Sequence, residues 1–141
     1  MYRLLCVSLV SLLVCLPNGS ALAKRSPPAE VAPVRQGDVE YRVRHSSGGG
    51  YLPGFVEARD IAKNQRLWLR QIYVIRRNPD LEQDVQDVFI TSVKRIVDRN
   101  VLEIRHEPGG LFELDLDTLE VKVVQGQAVI PAKCCLLYTS D

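Results

Sequence analysis

The segment that most constrains the fold is Gln65–Arg77, the longest apolar-rich run after the N-terminal leader. Its apolar residues suit an extended strand, in which neighbouring side chains point to opposite faces of a sheet. Both faces are apolar, with Leu67, Leu69, Tyr73 and Ile75 on one and Trp68, Ile72 and Val74 on the other. A strand that is apolar on both faces is typical of the centre of a sheet. The run therefore predicts a central strand with Trp68 buried.

Alternating apolar residues predict further strands on both sides of this run. They lie at Phe55–Ile61, Asp87–Asp98, Val101–Glu107, Leu111–Asp117 and Leu119–Val124. Between the central strand and the next, Asn78-Pro79-Asp80 predicts a single short helical turn near residues 79–86. We therefore expect a mainly β fold, a small antiparallel meander of about five to six strands that forms a blade-like sheet or a small barrel.

Residues 1–23 have the pattern of a secretory signal peptide. Arg3 supplies the positive start, Leu4–Leu16 is the apolar segment, and Ala21-Leu22-Ala23 is a small-residue cleavage site. The apolar segment is shorter than the roughly 20 residues that a membrane-spanning helix needs. We expect cleavage after Ala23, no membrane span after cleavage, and export of the protein to the periplasm or the exterior.

Residues 24–50 predict a linker before a β-domain at residues 51–125. Prolines stiffen its first half, and Ser46–Gly50 loosens its end. Within it, Val39, Tyr41 and Val43 alternate with charged residues. This alternation leaves two alternatives open, a short edge strand or an exposed tether.

Residues 126–141 predict a tail outside the domain. Its last segment, Cys135–Asp141, resembles one reading frame of a transposase mosaic-end adapter used in preparing sequencing libraries. The resemblance implies that residues 135–141 are artefactual and that the natural gene continues beyond Lys133. The four cysteines lie in the leader and in this tail, at Cys6, Cys15, Cys134 and Cys135. The predicted domain is therefore built without disulfides or thiol chemistry.

Two segments resemble the repeat of quinoprotein-type (PQQ-like) β-propellers. The first begins at Gly54, ends its strand at Asp60 and reaches the pair Leu67-Trp68. In the second, Gly109–Val121, Leu114-Asp115 and Thr118 stand where the family has Leu-Asp and Thr.

The glycine of the repeat's turn is replaced in both segments, by Asn64 in the first and by Leu119 in the second. The resemblance implies a blade-like hairpin in which Asp60 and Asp115 cap turns. It carries over no quinone-binding residue, and we predict no cofactor.

The densest acidic cluster is Asp80, Glu82, Asp84 and Asp87, which makes these residues the candidate metal ligands. Ca²⁺ takes six to eight oxygen ligands, and carboxylates at alternate loop positions can supply them. The EF-hand pattern is absent because Val85 stands where that loop needs glycine. The alternative is a solvated helical turn whose acids lie near its positive N-terminal end.

Other polar residues do not converge on a reactive set. His106 and Glu107 are neighbours on a predicted strand, so they point to opposite faces, and His45 lies in the predicted linker. A basic and aromatic patch is formed by Arg70, Tyr73, Arg76 and Arg77. Export and the formal net charge of +1 argue against a nucleic-acid partner for this patch.

These features favour an exported, non-catalytic β-domain that acts as a binding or assembly module in the cell envelope. An envelope protein is the expected kind of partner. The alternative is the N-terminal fragment of an exported enzyme of the PQQ-like propeller type, with active residues beyond the truncation.

Overall fold

The computed structural model describes residues 28–47 and 50–132. Within them the chain forms one helical turn, α1 (Gln83–Gln86), and ten strands. The strands are β1 (Val34–Gln36), β2 (Val39–Ser47), β3 (Gly50–Asp60), β4 (Gln65–Gln71), β5 (Val74–Ile75), β6 (Ile90–Ile96), β7 (Val101–His106), β8 (Leu111–Asp115), β9 (Val121–Gln125) and β10 (Val129–Ile130). The predicted signal peptide at residues 1–23 and the adapter-like residues 135–141 lie outside the described residues.

Eight of these strands form two four-stranded antiparallel sheets. The first has the order β1-β2-β3-β4 and the second the order β6-β7-β8-β9, so each is a simple meander. The prediction of a mainly β, antiparallel fold is confirmed. The strands are more numerous than expected because residues 34–47 add two of them and the short strands β5 and β10 add two more. Both sheets are open, each with two edge strands.

Much of the segment predicted as a linker belongs to the first sheet. β2 pairs with β3 from Val39 opposite Asp60 to Ser47 opposite Gly50. The alternation of Val39, Tyr41 and Val43 is that of a strand, and Tyr41 is buried in the core. The tether alternative is therefore wrong for residues 34–47, because their apolar side chains cover the inner face of the sheet.

The prediction that Gln65–Arg77 is a buried central strand is wrong. β4 ends at Gln71 and is an edge strand of the first sheet, beside β3. Leu67 is 50% exposed, and Trp68 is only half-buried. Periodicity shows that a strand has two apolar faces, whereas burial depends on which other elements pack on them.

The run breaks after β4 because Tyr73 turns into the core. Its hydroxyl donates a hydrogen bond to the carbonyl oxygen of Val88 at 2.7 Å, which joins the end of the first sheet to the segment before β6. Gly54 gives it room: its φ is +81°, and a Cβ there would lie 2.9 Å from the carbonyl oxygen of Tyr73. A side chain at residue 54 would displace Tyr73.

One hydrophobic core is shared by the two sheets. The first sheet contributes Tyr41, Val56 and Ala58, and the second contributes Val93, Leu102, Ile104, Phe112 and Leu114. The cluster is completed by residues that lie between the two sheets in the chain, Ile72, Tyr73 and Val88, and by Ile90 at the start of β6. The sheets therefore bury their apolar faces against the same set of side chains.

A short parallel pair, β5 with β10, joins the middle of the chain to the part predicted as a tail. Val74 and Arg76 donate backbone hydrogen bonds to the carbonyl oxygens of Ala128 and Ile130, both at 2.9 Å. The predicted tail boundary at residue 126 is therefore wrong, because Val129 and Ile130 are strand residues. Ile130 also packs against the core.

The turns follow the sequence prediction closely. Asn64 and Asn100 both have φ of 50°, the left-handed conformation that asparagine tolerates better than most residues. The helical turn lies within the predicted range of 79–86 but starts at Gln83. Asn78 precedes it as a turn residue, because its side-chain oxygen accepts a hydrogen bond from the Asp80 amide at 3.0 Å.

Candidate functional site

The outer face of the first sheet carries a dense group of arginines. Cross-strand partners share a face, so the strand register places these side chains beside one another. We call this surface the arginine face, and it consists of Arg35, Arg42, Arg44, Arg59 and Arg66. Their strand partners are Glu40 for Arg35, Glu57 for Arg42 and Phe55 for Arg44. Arg59 lies between Glu40 on β2 and Arg66 on β4.

Glu57 lies at the centre of the arginine face and is 0% exposed. Arg42 Nε donates a hydrogen bond to its Oε1 at 2.5 Å. Arg44 Nη1 lies 3.6 Å from Oε2, and Arg59 Nη1 lies 3.9 Å from Oε1. A buried carboxylate needs a close positive partner, and Arg42 already supplies it. The other two guanidinium groups lie beyond hydrogen-bond distance, so three arginines surround one buried carboxylate whose Oε2 accepts no hydrogen bond among the described residues.

The arginine face has a net positive charge. Arg35 pairs with Glu40 at 2.8 Å, and Arg42 pairs with Glu57. Five arginines thus face two glutamates. The Arg59 side chain is fixed by hydrogen bonds from Nη2 to the backbone and side-chain oxygens of Asn64, at 2.9 and 2.6 Å. Fixed guanidinium groups on a rigid sheet are suited to binding carboxylate or phosphate groups.

Sequence reasoning missed this surface. Arg42 and Arg44 alternate with the apolar residues of β2, which is a signal that was available. Arg59 and Arg66 join them only through the register of β3 with β4 and its bulge after Ala58. No periodicity within one strand reveals that register.

The four candidate metal ligands are not brought together as a site. The part of the chain that the structure describes holds no group of three or more histidine, cysteine, aspartate or glutamate residues able to bind a metal ion. Asp84 Oδ1 accepts a hydrogen bond from the Val85 amide at 3.0 Å, within the helical turn. Asp87 is buried and accepts a hydrogen bond from Arg77 at 2.5 Å.

The basic and aromatic patch of the sequence is dispersed. Tyr73 is buried, and burial raises the pKa of its hydroxyl, with Glu107 and Asp87 adding to the rise. Arg77 turns toward the buried Asp87. Tyr73 and Arg77 contact buried groups, so they do not form a surface with Arg70 and Arg76.

The two histidines lie closer to the core than the sequence suggested. His45 is in β2 rather than in a linker, and its ring meets Phe89 edge-on with centroids 5.4 Å apart. Both of its ring nitrogens are buried without a hydrogen-bond partner among the described residues. Burial lowers the pKa of His45 and of His106, while the carboxylate of Glu107 acts to raise both.

Glu107 lies in the turn after β7, and its carboxylate accepts a hydrogen bond from the Phe89 amide at 3.0 Å. His106 is held differently, since its Nδ1 accepts a hydrogen bond from the Gly110 amide at 3.2 Å. The described contacts therefore connect neither residue to a nucleophile.

The same kind of turn occurs twice, each time between the third and fourth strands of a sheet. Asp60 Oδ1 accepts a hydrogen bond from the Lys63 amide at 3.0 Å. Asp115 Oδ1 accepts two, from the amides of Asp117 and Thr118, both at 2.8 Å. These backbone hydrogen bonds lower the pKa of both carboxyl groups. The expectation that Asp60 and Asp115 cap turns is confirmed.

The two turns also share a left-handed residue at the position where the propeller repeat has glycine. Asn64 has φ of 50° in the first turn and Leu119 has φ of 59° in the second. The replaced residues therefore adopt the conformation for which glycine is normally used.

Comparison with known proteins assigns no family: no family model and no curated protein matches this sequence. Among the described residues, no helix has the length and apolar character needed to cross a membrane.

Proposed function

We propose that this protein is an exported, non-catalytic binding module of the cell envelope, and that the arginine face binds an acidic segment of an envelope protein. The observation that carries the proposal is the excess of arginines around the buried Glu57. Export is supported by the leader pattern at residues 1–23. A non-catalytic role fits the separate environments of His45 and His106.

The binding chemistry follows from the geometry of the sheet. Arg59 and Arg66 are cross-strand partners, so their charges lie side by side at the edge formed by β4. Two neighbouring guanidinium groups repel each other in the free protein, and an acidic ligand relieves that repulsion. A carboxylate can also accept two parallel hydrogen bonds from one guanidinium group.

The proposal is tested with a short oligoglutamate peptide as the probe. We expect the protein without its leader to bind this peptide at low salt, and the affinity to fall as salt is raised, because exposed charges are screened within about 10 Å at 0.1 M. Arg66→Glu should weaken binding at least tenfold. Arg76→Glu makes the same charge change at an exposed position outside the arginine face and should bind like the wild type.

Equal weakening by the two substitutions would mean that only net charge matters, and the arginine face would lose its assignment. Binding that is unaffected by Arg66→Glu would also contradict the proposal. Circular dichroism of both variants checks that the sheet is intact.

A second candidate function is supported by the repeated turn. In this alternative the chain is the N-terminal part of an exported enzyme of the PQQ-like propeller type, and each four-stranded meander is one blade. The matching turns at Asp60–Asn64 and Asp115–Leu119 favour it. Reading the natural gene through the adapter-like segment tests it: further four-stranded repeats with cofactor-binding residues would support the enzyme, and an early stop codon would support the small module.

A further inference from the structure

A pocket of about 200 Å³ lies beside the turn between β7 and β8. It is on the second sheet, away from the arginine face. Its lining is mostly apolar and includes the turn and the segment that leads into β10. The lining includes His106, Pro108, Gly110, Gln127, Ile130 and Pro131.

His106 is a buried polar residue of this lining and is 6% exposed. Its Nδ1 accepts a hydrogen bond from the Gly110 amide, so the proton of the neutral ring is on Nε2. Nε2 has no hydrogen-bond partner among the described residues. Burial lowers the pKa of His106, which favours this neutral form at physiological pH.

The imidazole is fixed by its neighbours. Tyr73 meets the ring edge-on with centroids 5.0 Å apart, and Phe112 packs against it at 5.5 Å. Gly110 lies against the ring so closely that any side chain there would collide with it. A donor held in this way loses little conformational freedom when a ligand binds.

We propose that the pocket binds a compact ligand with an apolar body and one hydrogen-bond acceptor, and that His106 Nε2–H donates to that acceptor. Pro108, Ile130 and Pro131 supply the apolar contacts, and a carbonyl oxygen is the acceptor that suits a neutral donor. A mostly apolar cavity with a few polar groups, of which His106 is fixed by its neighbours, is typical of small-molecule sites.

Two probes of nearly equal shape test the proposal. Acetophenone has a carbonyl oxygen, and ethylbenzene lacks it. Binding is followed through the backbone amide signals of Gly110, Gly126 and Gln127 in ¹⁵N-edited NMR spectra. We expect acetophenone to shift these signals saturably and to bind at least tenfold more tightly than ethylbenzene. Absence of saturable shifts, or equal affinities, would overturn the proposal.

Variants at His106 test the role of its proton. In His106→Gln the amide nitrogen reaches the position of Nε2 and can still donate into the pocket. In His106→Asn the side chain reaches only the position of Nδ1, where it can accept from Gly110. We expect the glutamine variant to keep its preference for acetophenone and the asparagine variant to lose it.

A substitution at the exposed rim of the pocket tests the site without changing a residue of the hydrophobic core. Gln127→Trp places a large side chain at an exposed position of the lining and should block both probes while leaving the spectrum of the sheets unchanged. Unaltered acetophenone binding by this variant, or by a folded His106→Asn variant, would rule out the site.

Discussion

Within residues 28–47 and 50–132, three residues other than glycine adopt a left-handed backbone, and each lies in a tight turn. They are Asn64, Asn100 and Leu119. Asparagine tolerates this conformation, whereas leucine does so at a cost, because its Cβ crowds the following carbonyl group. Two contacts of Leu119 offset this conformational cost. Its side chain packs against the core, and its amide donates a hydrogen bond to the Asp115 carbonyl oxygen at 2.9 Å.

Two substitutions at Asn64 distinguish the effect of its left-handed backbone from the effect of its side-chain hydrogen bond with Arg59. Asn64→Ala and Asn64→Gly both remove the hydrogen bond that the side-chain oxygen of Asn64 accepts from Arg59. Only alanine has a Cβ that disfavours a positive φ, so we expect the alanine variant to be less stable than the glycine variant by about 1 kcal/mol. Urea denaturation measures the difference. Equal stabilities would show that the turn relaxes out of the left-handed conformation.

The histidines make stability depend on pH. Burial lowers the folded-state pKa of His45 and His106 below the ordinary value of 6.5. As pH falls below about 6.5, the unfolded chain binds protons that the folded protein does not, so the free energy of unfolding decreases until the lowered folded-state pKa is reached. We expect a nearly flat profile just above this window.

Denaturation curves between pH 5 and pH 8 check this expectation. A variant with His45→Gln and His106→Gln should lose most of the decrease between pH 7 and pH 5.5. The same slope in the variant and the wild type would assign the decrease to carboxyl groups instead.

An aromatic residue on the edge strand β4 should contribute less to the free energy of unfolding than one on the inner strand β8. Phe112 on β8 is 0% exposed, and Trp68 on β4 is half-buried against Tyr41 with ring centroids 5.8 Å apart. Phe112→Ala should therefore cost about 3–5 kcal/mol, as large-to-small changes in cores do. Trp68→Ala should cost clearly less, because part of its ring is already in water. A larger loss at Trp68 in urea denaturation would mean that β4 is covered in solution.

The short parallel pair of β5 with β10 can be detected through its backbone hydrogen bonds. The amides of Val74 and Arg76 donate to carbonyl oxygens of residues 128 and 130. We expect both amides to be protected from hydrogen exchange in the intact protein. Ending the chain after Gln125 should remove their protection and leave the amides of β7 protected. Protection that survives this truncation would contradict the pairing.

The sequence predicted β7 and β8 well because inward apolar residues alternate with outward ones, as in β7, where Leu102 and Ile104 alternate with Glu103 and Arg105. The prediction that β4 is a central strand was wrong because periodicity does not show which face of a strand is covered. The sequence could not predict β5 with β10, since strands of two residues have no period. The arginine face was missed for a related reason, because it exists only once several strands are in register.

At the scale of the whole molecule, the two sheets are joined by polar contacts as well as by the core. Arg95 on β6 donates from Nε to Gln36 on β1 at 2.9 Å and from Nη2 to Asn100 at 2.7 Å. Gln36 also accepts from the Tyr41 hydroxyl at 3.4 Å. Neither sheet has a core of its own that is separate from these shared contacts.

We therefore expect the two sheets to unfold in one cooperative transition. Trp68 is the only tryptophan of the chain, so its fluorescence reports on the first sheet. Methyl signals of Leu102 report on the second. Their midpoints in urea should coincide in the wild type and move together in Val56→Ala. Separate midpoints would show that the sheets are independent units.

The pairing of Val74 with Val129 also sets an order of events during synthesis. A ribosome produces about 5–20 residues per second, so β5 exists for several seconds before β10 has been made. During this interval β5 has no strand partner, and the core lacks Ile130, which packs against it in the finished protein. Unpaired edges and exposed apolar side chains favour association with other chains. A chain at this stage is therefore more prone to association than the finished protein, in which β10 pairs with β5.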